Sequence, residues 1–258
     1  MRLFIVIFTL FFSTSAFSYE EPTCEELNDL YYNKYESDFE VTWSVSENQQ
    51  EYMRKNSLVA YPSGPFPCPK GNESEEQLKA GRFSYYHIAK SFYYLDKVDI
   101  IDSKGREIFD YYKYVTDGVE STMLRYDGKG GLTAEGYGDG TGFIYLPLGF
   151  FKESSIYEAA GYVHERRHFD PDDPGHEECD SGDLKGERAC DNFVSIEKFD
   201  RGSGYHYNVK YFIDAHNYGG INDLQKSIAK KFTKGALLRA FNNLPNSAYL
   251  ELMSRFDD

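Results

Sequence analysis

Residues 162–170 read YVHERRHFD, and within them His164-Glu165-Arg166-Arg167-His168 spells H-E-x-x-H. Histidines four apart on a helix lie one turn apart on the same face, so both imidazoles can converge on one ion. Glu165 sits beside that face, where a carboxylate can take a proton from a metal-activated water without being a ligand itself. Counting back from His164 along its own face reaches Ala160 and Tyr157, with Val163 beside it, so the pair points toward an apolar interior. Ser155 and Glu158 form a capping-box pattern at the start. Pro171 stops the run, because the residue before a proline leaves the α region. The pattern predicts a helix from Ser155 to about His168 or Phe169.

Two histidines do not complete a catalytic zinc site, which takes three protein ligands and keeps one position open. His176 leads as the third, because Pro171, Pro174 and Gly175 supply a turn that brings the chain back after His168. Glu177, Glu178 and Asp180 are acidic alternatives in the same loop, and His206, Asp214 and His216 are alternatives on a following helix. If Cys179 joined the three histidines, the site would be closed and structural, and the chain a non-catalytic binding module. The acidic run Asp170, Asp172, Asp173, Glu177, Glu178, Asp180 and Asp183 lacks the ordered alternation of a calcium loop and reads as solvated. Arg167 reads as a partner for one of those carboxylates. Tyr205, His206 and Tyr207 open a helix where a donor to a developing oxyanion could stand.

The first 18 residues, MRLFIVIFTLFFSTSAFS, carry one charge at Arg2, an apolar run and an A-x-S end. They read as a secretory signal peptide, too short to span a bilayer, which predicts a secreted or periplasmic protein with no membrane insertion after cleavage. Four cysteines in an oxidising compartment allow three pairings. Proximity in sequence favours Cys24–Cys68 and Cys179–Cys190, the second stapling the loop that carries His176. A net charge of −14 argues against nucleic acid and anionic membranes as partners, since both require a basic face. With 23 tyrosines, many half-buried phenols are expected.

Outside the motif, residues 19–73 read as irregular apart from a strand at Phe39–Trp43. A helix is predicted from Ser74 to about Leu95 and another from Arg106 to Thr116. The runs STMLRYD, LTAEGYG and FIYLPL, separated by Gly-rich turns, predict an antiparallel meander. A helix near 205–218 and two apolar-periodic segments, 221–232 and 235–243, complete a helical C-terminus. One α+β domain over residues 19–258 is the expectation.

The order of a strand, a capped helix and H-E-x-x-H resembles the zincin metallopeptidases, in which the strand before the motif helix is an edge that binds extended substrate. The H-E-x-R-H spelling followed by H-x-x-C is also similar to a group of exported bacterial proteins. The likeness spans roughly residues 140–220. It implies a zincin-like fold, a Zn2+ site at His164, His168 and His176, Glu165 as general base, and a peptide or protein substrate. The third histidine departs from the metzincin spacing, where Pro174 stands in its place.

Overall fold

The structure is a computed structural model that describes residues 20–38, 40–44, 65–72, 83–101, 107–119, 121–125, 135–136, 143–147, 154–218 and 220–256. Thr23 starts helix α1, Cys24–Leu30, through a capping box: its hydroxyl accepts from Glu26 N at 3.2 Å, and Glu26 Oε2 accepts from Thr23 N at 2.7 Å. The helix continues through a π-helical turn, Tyr31–Tyr35, and Glu36–Asp38. This part of the N-terminal segment is therefore helical, where irregular chain was expected. The T-x-x-E spelling carried that signal. A disulfide joins Cys24 to Cys68, as proximity suggested.

Strand β1, Glu40–Ser44, lies one residue from its expected place. Helix α2, Ser84–Asp96, is the described part of the helix read from Ser74, and residues 73–82 lie outside the described residues. Its apolar stripe buries Ile88, Ala89, Phe92 and Leu95. The segment read as a helix from Arg106 splits in two. Strand β3, Glu107–Asp110, pairs antiparallel with β2, Asp99–Ile101, and helix α3, Tyr111–Thr116, follows. Asp110 divides them by accepting from Lys113 N at 2.8 Å, which caps α3.

The meander expectation is corrected. Strands β4, Ser121–Arg125, and β6, Phe143–Pro147, run parallel, and β1 runs parallel to β4. Only β5, Glu135–Gly136, is antiparallel, pairing with Tyr145 and Ile144 of β6. The sheet order is β1-β4-β6-β5. β5 and β6 are therefore antiparallel neighbours, while β4 and β5, consecutive in the chain, lie on opposite sides of β6. The strand before the motif helix is thus flanked on both sides at Tyr145 and Ile144, and among the described strands the edges of this sheet are β1 and β5.

Helix α4, Ser155–Arg167, holds the motif and packs on α2, α3, β5 and β6. Its N-cap is Ser154 without a side-chain cap bond, so the expected Ser155–Glu158 capping box does not form. Glu158 is instead fully buried, with Oε2 accepting the Ser91 hydroxyl at 3.0 Å and Oε1 3.3 Å from His87 Nδ1. Ala159, Ala160 and Gly161 keep the helix thin where its neighbours approach.

Beyond α4, the loop read as polar contains β7, Glu177–Glu178, antiparallel to β8, Arg188–Asn192. A 3-10 turn, Ile196–Arg201, leads into α5, Gly204–Asn217, which also packs on α4. The two C-terminal segments expected around Gly235 are one helix, α6, Asp223–Arg239. A glycine there costs only about 1 kcal/mol against alanine, which the helix's packing outweighs. Strand β9, Phe241–Asn242, pairs parallel with β8, and α7, Asn246–Ser254, ends the described chain. Among the described residues no helix is long and apolar enough to cross a membrane.

Candidate metal centre

The motif helix carries its two histidines inward. His164 is 7% exposed and Glu165 6%, while His168 occupies the C-cap and is partly open. After His168 the chain turns at residues 170–173, where Asp173 N donates to Asp170 O at 3.0 Å. It returns through Gly175, whose φ of +69° is a left-handed conformation that strains any residue with a Cβ. His176 follows and enters β7.

This path brings the three histidines together. His176 Nε2 lies 3.1 Å from His164 Nε2 and 3.2 Å from His168 Nε2. One ring nitrogen from each falls within a mutual 4.8 Å, so the donors can share one ion. The outward nitrogens of two rings meet carboxylates: His168 Nδ1 donates to Asp173 at 2.8 Å, and His176 Nδ1 to Asp191 at 2.7 Å. Donation from Nδ1 leaves Nε2 as the lone-pair nitrogen, the tautomer a metal requires. The donor set of three imidazoles, two of them backed by carboxylates, fits zinc and other borderline divalent metals.

Electrostatics act in opposite directions on two of the rings. Burial and the adjacent imidazoles of His168 and His176 hold His164 well below the ordinary histidine range, so its ring is neutral. Burial lowers His168 too, but its bond to Asp173 and the charges of Glu165, Asp173 and Asp191 outweigh that and raise it. Burial would raise Asp191, yet its bonds to His176 and His206 and the charges of His176 and His164 hold it far below the usual carboxylate range. Glu165 exerts its charge on both His168 and Tyr205, which places the carboxylate beside the cluster.

Tyr205 closes another side. Its ring meets His164 edge-on at 4.7 Å between centroids and leans over His176 at 5.2 Å. Burial above all, with the charges of Tyr157, Asp191 and Glu165, pushes its phenol up to about 12, so it remains a donor.

The remaining sequence candidates have other places. Cys179 is bonded to Cys190, as proximity suggested, so its sulfur is not free to be a ligand and the closed three-His, one-Cys site is excluded. Glu177, Glu178 and Asp180 are exposed. Asp214 accepts from Tyr111 at 2.5 Å and Lys210 at 2.6 Å, away from the cluster. His216 turns its ring nitrogens to the carbonyls of Lys226 and Phe256. His206 reaches Asp191, one step behind His176. Tyr207 stacks on Tyr114, 5.5 Å between centroids. The acidic run is only partly solvated, since Asp170 and Asp172 pair with Arg166 and Arg167, and Asp173 with His168.

Asp173, Asp191 and Gly204, whose backbone lies against the His164 ring, were not read from sequence as parts of the site. Asp173 stands five residues after His168, a signal that was there to use. Asp191 and Gly204 are remote in sequence and offer none. Compared with known protein families, with curated proteins and with solved structures, the chain shows no match.

Proposed function

We propose that this chain is an exported zinc-dependent metallohydrolase of the peptidase type, with a zincin-like arrangement of sheet and motif helix. The observation that carries this reading is the convergence of His164, His168 and His176 beside the buried carboxylate of Glu165. Three imidazole ligands would leave a fourth position for water, the pattern of catalytic sites as opposed to structural ones.

His164, His168 and His176 would hold the ion. A zinc ion there supplies Lewis acidity, which makes water a nucleophile at neutral pH. Glu165 would accept a proton from an attacking water and pass it to the leaving amine. Tyr205, held protonated, donates to the oxygen that gains charge as the amide carbon turns tetrahedral. Strand β5 at the sheet edge touches the motif helix and has one side unpaired among the described strands. An extended peptide can add to such an edge through backbone hydrogen bonds. The two disulfides favour an oxidising destination, which fits export.

The test compares wild type with Glu165→Gln, measuring bound zinc by elemental analysis and hydrolysis of a mixed peptide library. Zinc in both proteins with hydrolysis only in wild type is the expected result. Zinc in both and hydrolysis in neither would make the chain a metal-holding binding protein, and zinc in neither would end the reading.

A further inference from the structure

Besides the motif helix, the candidate site draws on two places: the loop bearing His176, and the first turn of α5 bearing Tyr205. Both touch one side chain. Asp191, on β8, is fully buried, and each of its oxygens is engaged. Oδ1 accepts from His176 Nδ1 at 2.7 Å, while Oδ2 accepts from Tyr205 N at 2.8 Å and lies 3.2 Å from His206 Nδ1. The tautomer of His206 follows from its other nitrogen, where Nε2 accepts the backbone N–H of Val194 at 3.4 Å. The proton of His206 is therefore on Nδ1 and points at Asp191.

Asp191 is itself rigidly placed. Its backbone N donates to Ala240 O at 2.8 Å, it pairs with Phe241 in the β8–β9 ladder, and its neighbour Cys190 is tied to Cys179. His206 has no freedom either, standing 4.7 Å from the ring of Phe199 and 4.6 Å from that of Phe241. A Cβ on Gly202 would come within 2.0 Å of the His206 ring, so the loop before α5 lies directly on it.

We propose that Asp191 is a positioning residue, braced by His206, that sets the third histidine and the Tyr205-bearing helix at a fixed mutual distance. It never touches the ion or the reacting atoms. It orients the His176 ring, keeps the proton on Nδ1 so that Nε2 faces His164 and His168, and draws the N-terminal turn of α5 onto the same carboxylate. His206, which sequence reading offered as an alternative ligand, acts instead as the brace that holds Asp191 Oδ2. This inference rests on the reading that the three histidines bind a metal.

The experiment loads wild type, Asp191→Asn and His206→Phe with Co2+ as a spectroscopic stand-in for zinc. Affinity is measured by competition with a chelator. The hyperfine-shifted imidazole N–H resonances are then read by proton NMR, where three are expected in wild type. In Asp191→Asn the affinity should fall 10- to 100-fold, the range typical when a partner behind a metal ligand is lost. One of the three N–H signals, that of His176, should vanish or shift while the other two hold. His206→Phe keeps the ring volume among Phe199 and Phe241 and should give a smaller loss with the same signal displaced, so it serves if Asp191→Asn does not fold. Asp191→Glu should recover part of the affinity. Wild-type affinity and three unchanged signals in a folded variant would overturn the proposal. Absence of Co2+ uptake by wild type itself would overturn the metal reading beneath it, a separate and recognisable outcome.

Discussion

A methyl group on Gly204 would stand 2.6 Å from both Cε1 and Nε2 of the His164 ring, so α5 can begin where it does only because residue 204 has no side chain. Gly204→Ala must push either the helix or the imidazole aside. Metal affinity, measured by chelator competition, is expected to fall at least about 10-fold, since ligand orientation is lost. Gly235→Ala, where a new Cβ meets nothing, is the control and should leave affinity unchanged. Equal affinities in the two variants would contradict this account of Gly204.

A ligand that binds only the folded chain stabilises it by mass action. Zinc at a thousand times its dissociation constant should add about 4 kcal/mol to the unfolding free energy. Thermal or urea unfolding with and without chelator measures this, and His176→Ala should reduce the difference to a small fraction. A wild-type transition indifferent to chelator would refute it.

Arg167 is 2% exposed, and its guanidinium donates to Gly202 O at 2.8 Å and to Asp172 at 2.6 Å and lies over the Tyr207 ring at 5.1 Å. It ties the end of the motif helix to the loop before α5. Arg167→Ala should destabilise by about 2 kcal/mol, because the buried Gly202 carbonyl loses its donor and the packing over Tyr207 is lost. Asp172 is 74% exposed, and Asp172→Ala should cost less than about 1 kcal/mol. Chemical denaturation of both variants tests this ordering.

Glu21 ties the start of the described chain to two helices, meeting Lys90 at 2.7 Å, Tyr94 at 2.9 Å and Gln225 at 2.9 Å. Burial would raise its carboxyl, but Lys90, by hydrogen bond and by charge, together with Gln225 and Tyr94, brings it from 4.5 down to about 2. A depressed folded value means the stabilisation is complete above 4.5 and is lost as pH falls toward 2. Glu21→Gln should cost about 1–2 kcal/mol at neutral pH, allowing for solvent screening. It should also flatten the loss of stability between those two pH values. A variant that keeps the wild-type acid slope would show that other groups cause it.

What sequence could reveal followed the range of the interactions. The motif helix was legible because a helix repeats its face every few residues, and His164, Val163 and Ala160 mark that face. His176 was legible because Pro174 and Gly175 constrain the turn before it. The strands of the four-stranded sheet were also legible, but their pairing was not, and β3 was read as helix. Whether β6 lies beside β4 or β5 depends on long-range packing, and Gly-rich connections fit both a hairpin and a crossover. Glu158 misled for a related reason: its spacing from Ser155 spells a cap, while burial against Ser91 and His87 assigns it to the core. Asp191 was out of reach, since only the fold brings residue 191 to residue 176.

The Cys179–Cys190 bridge closes the strand pair from which His176 and Asp191 project. In chelate terms, the helix alone offers a two-toothed ligand, and the loop that this bridge staples adds the third tooth. Both cysteines are 2% exposed, so a reductant reaches the bridge only when the chain unfolds. A chain kept reduced should bind metal weakly through two imidazoles, and one refolded under oxidising conditions should bind it tightly. Comparing zinc uptake after the two refolding regimes reads that difference directly.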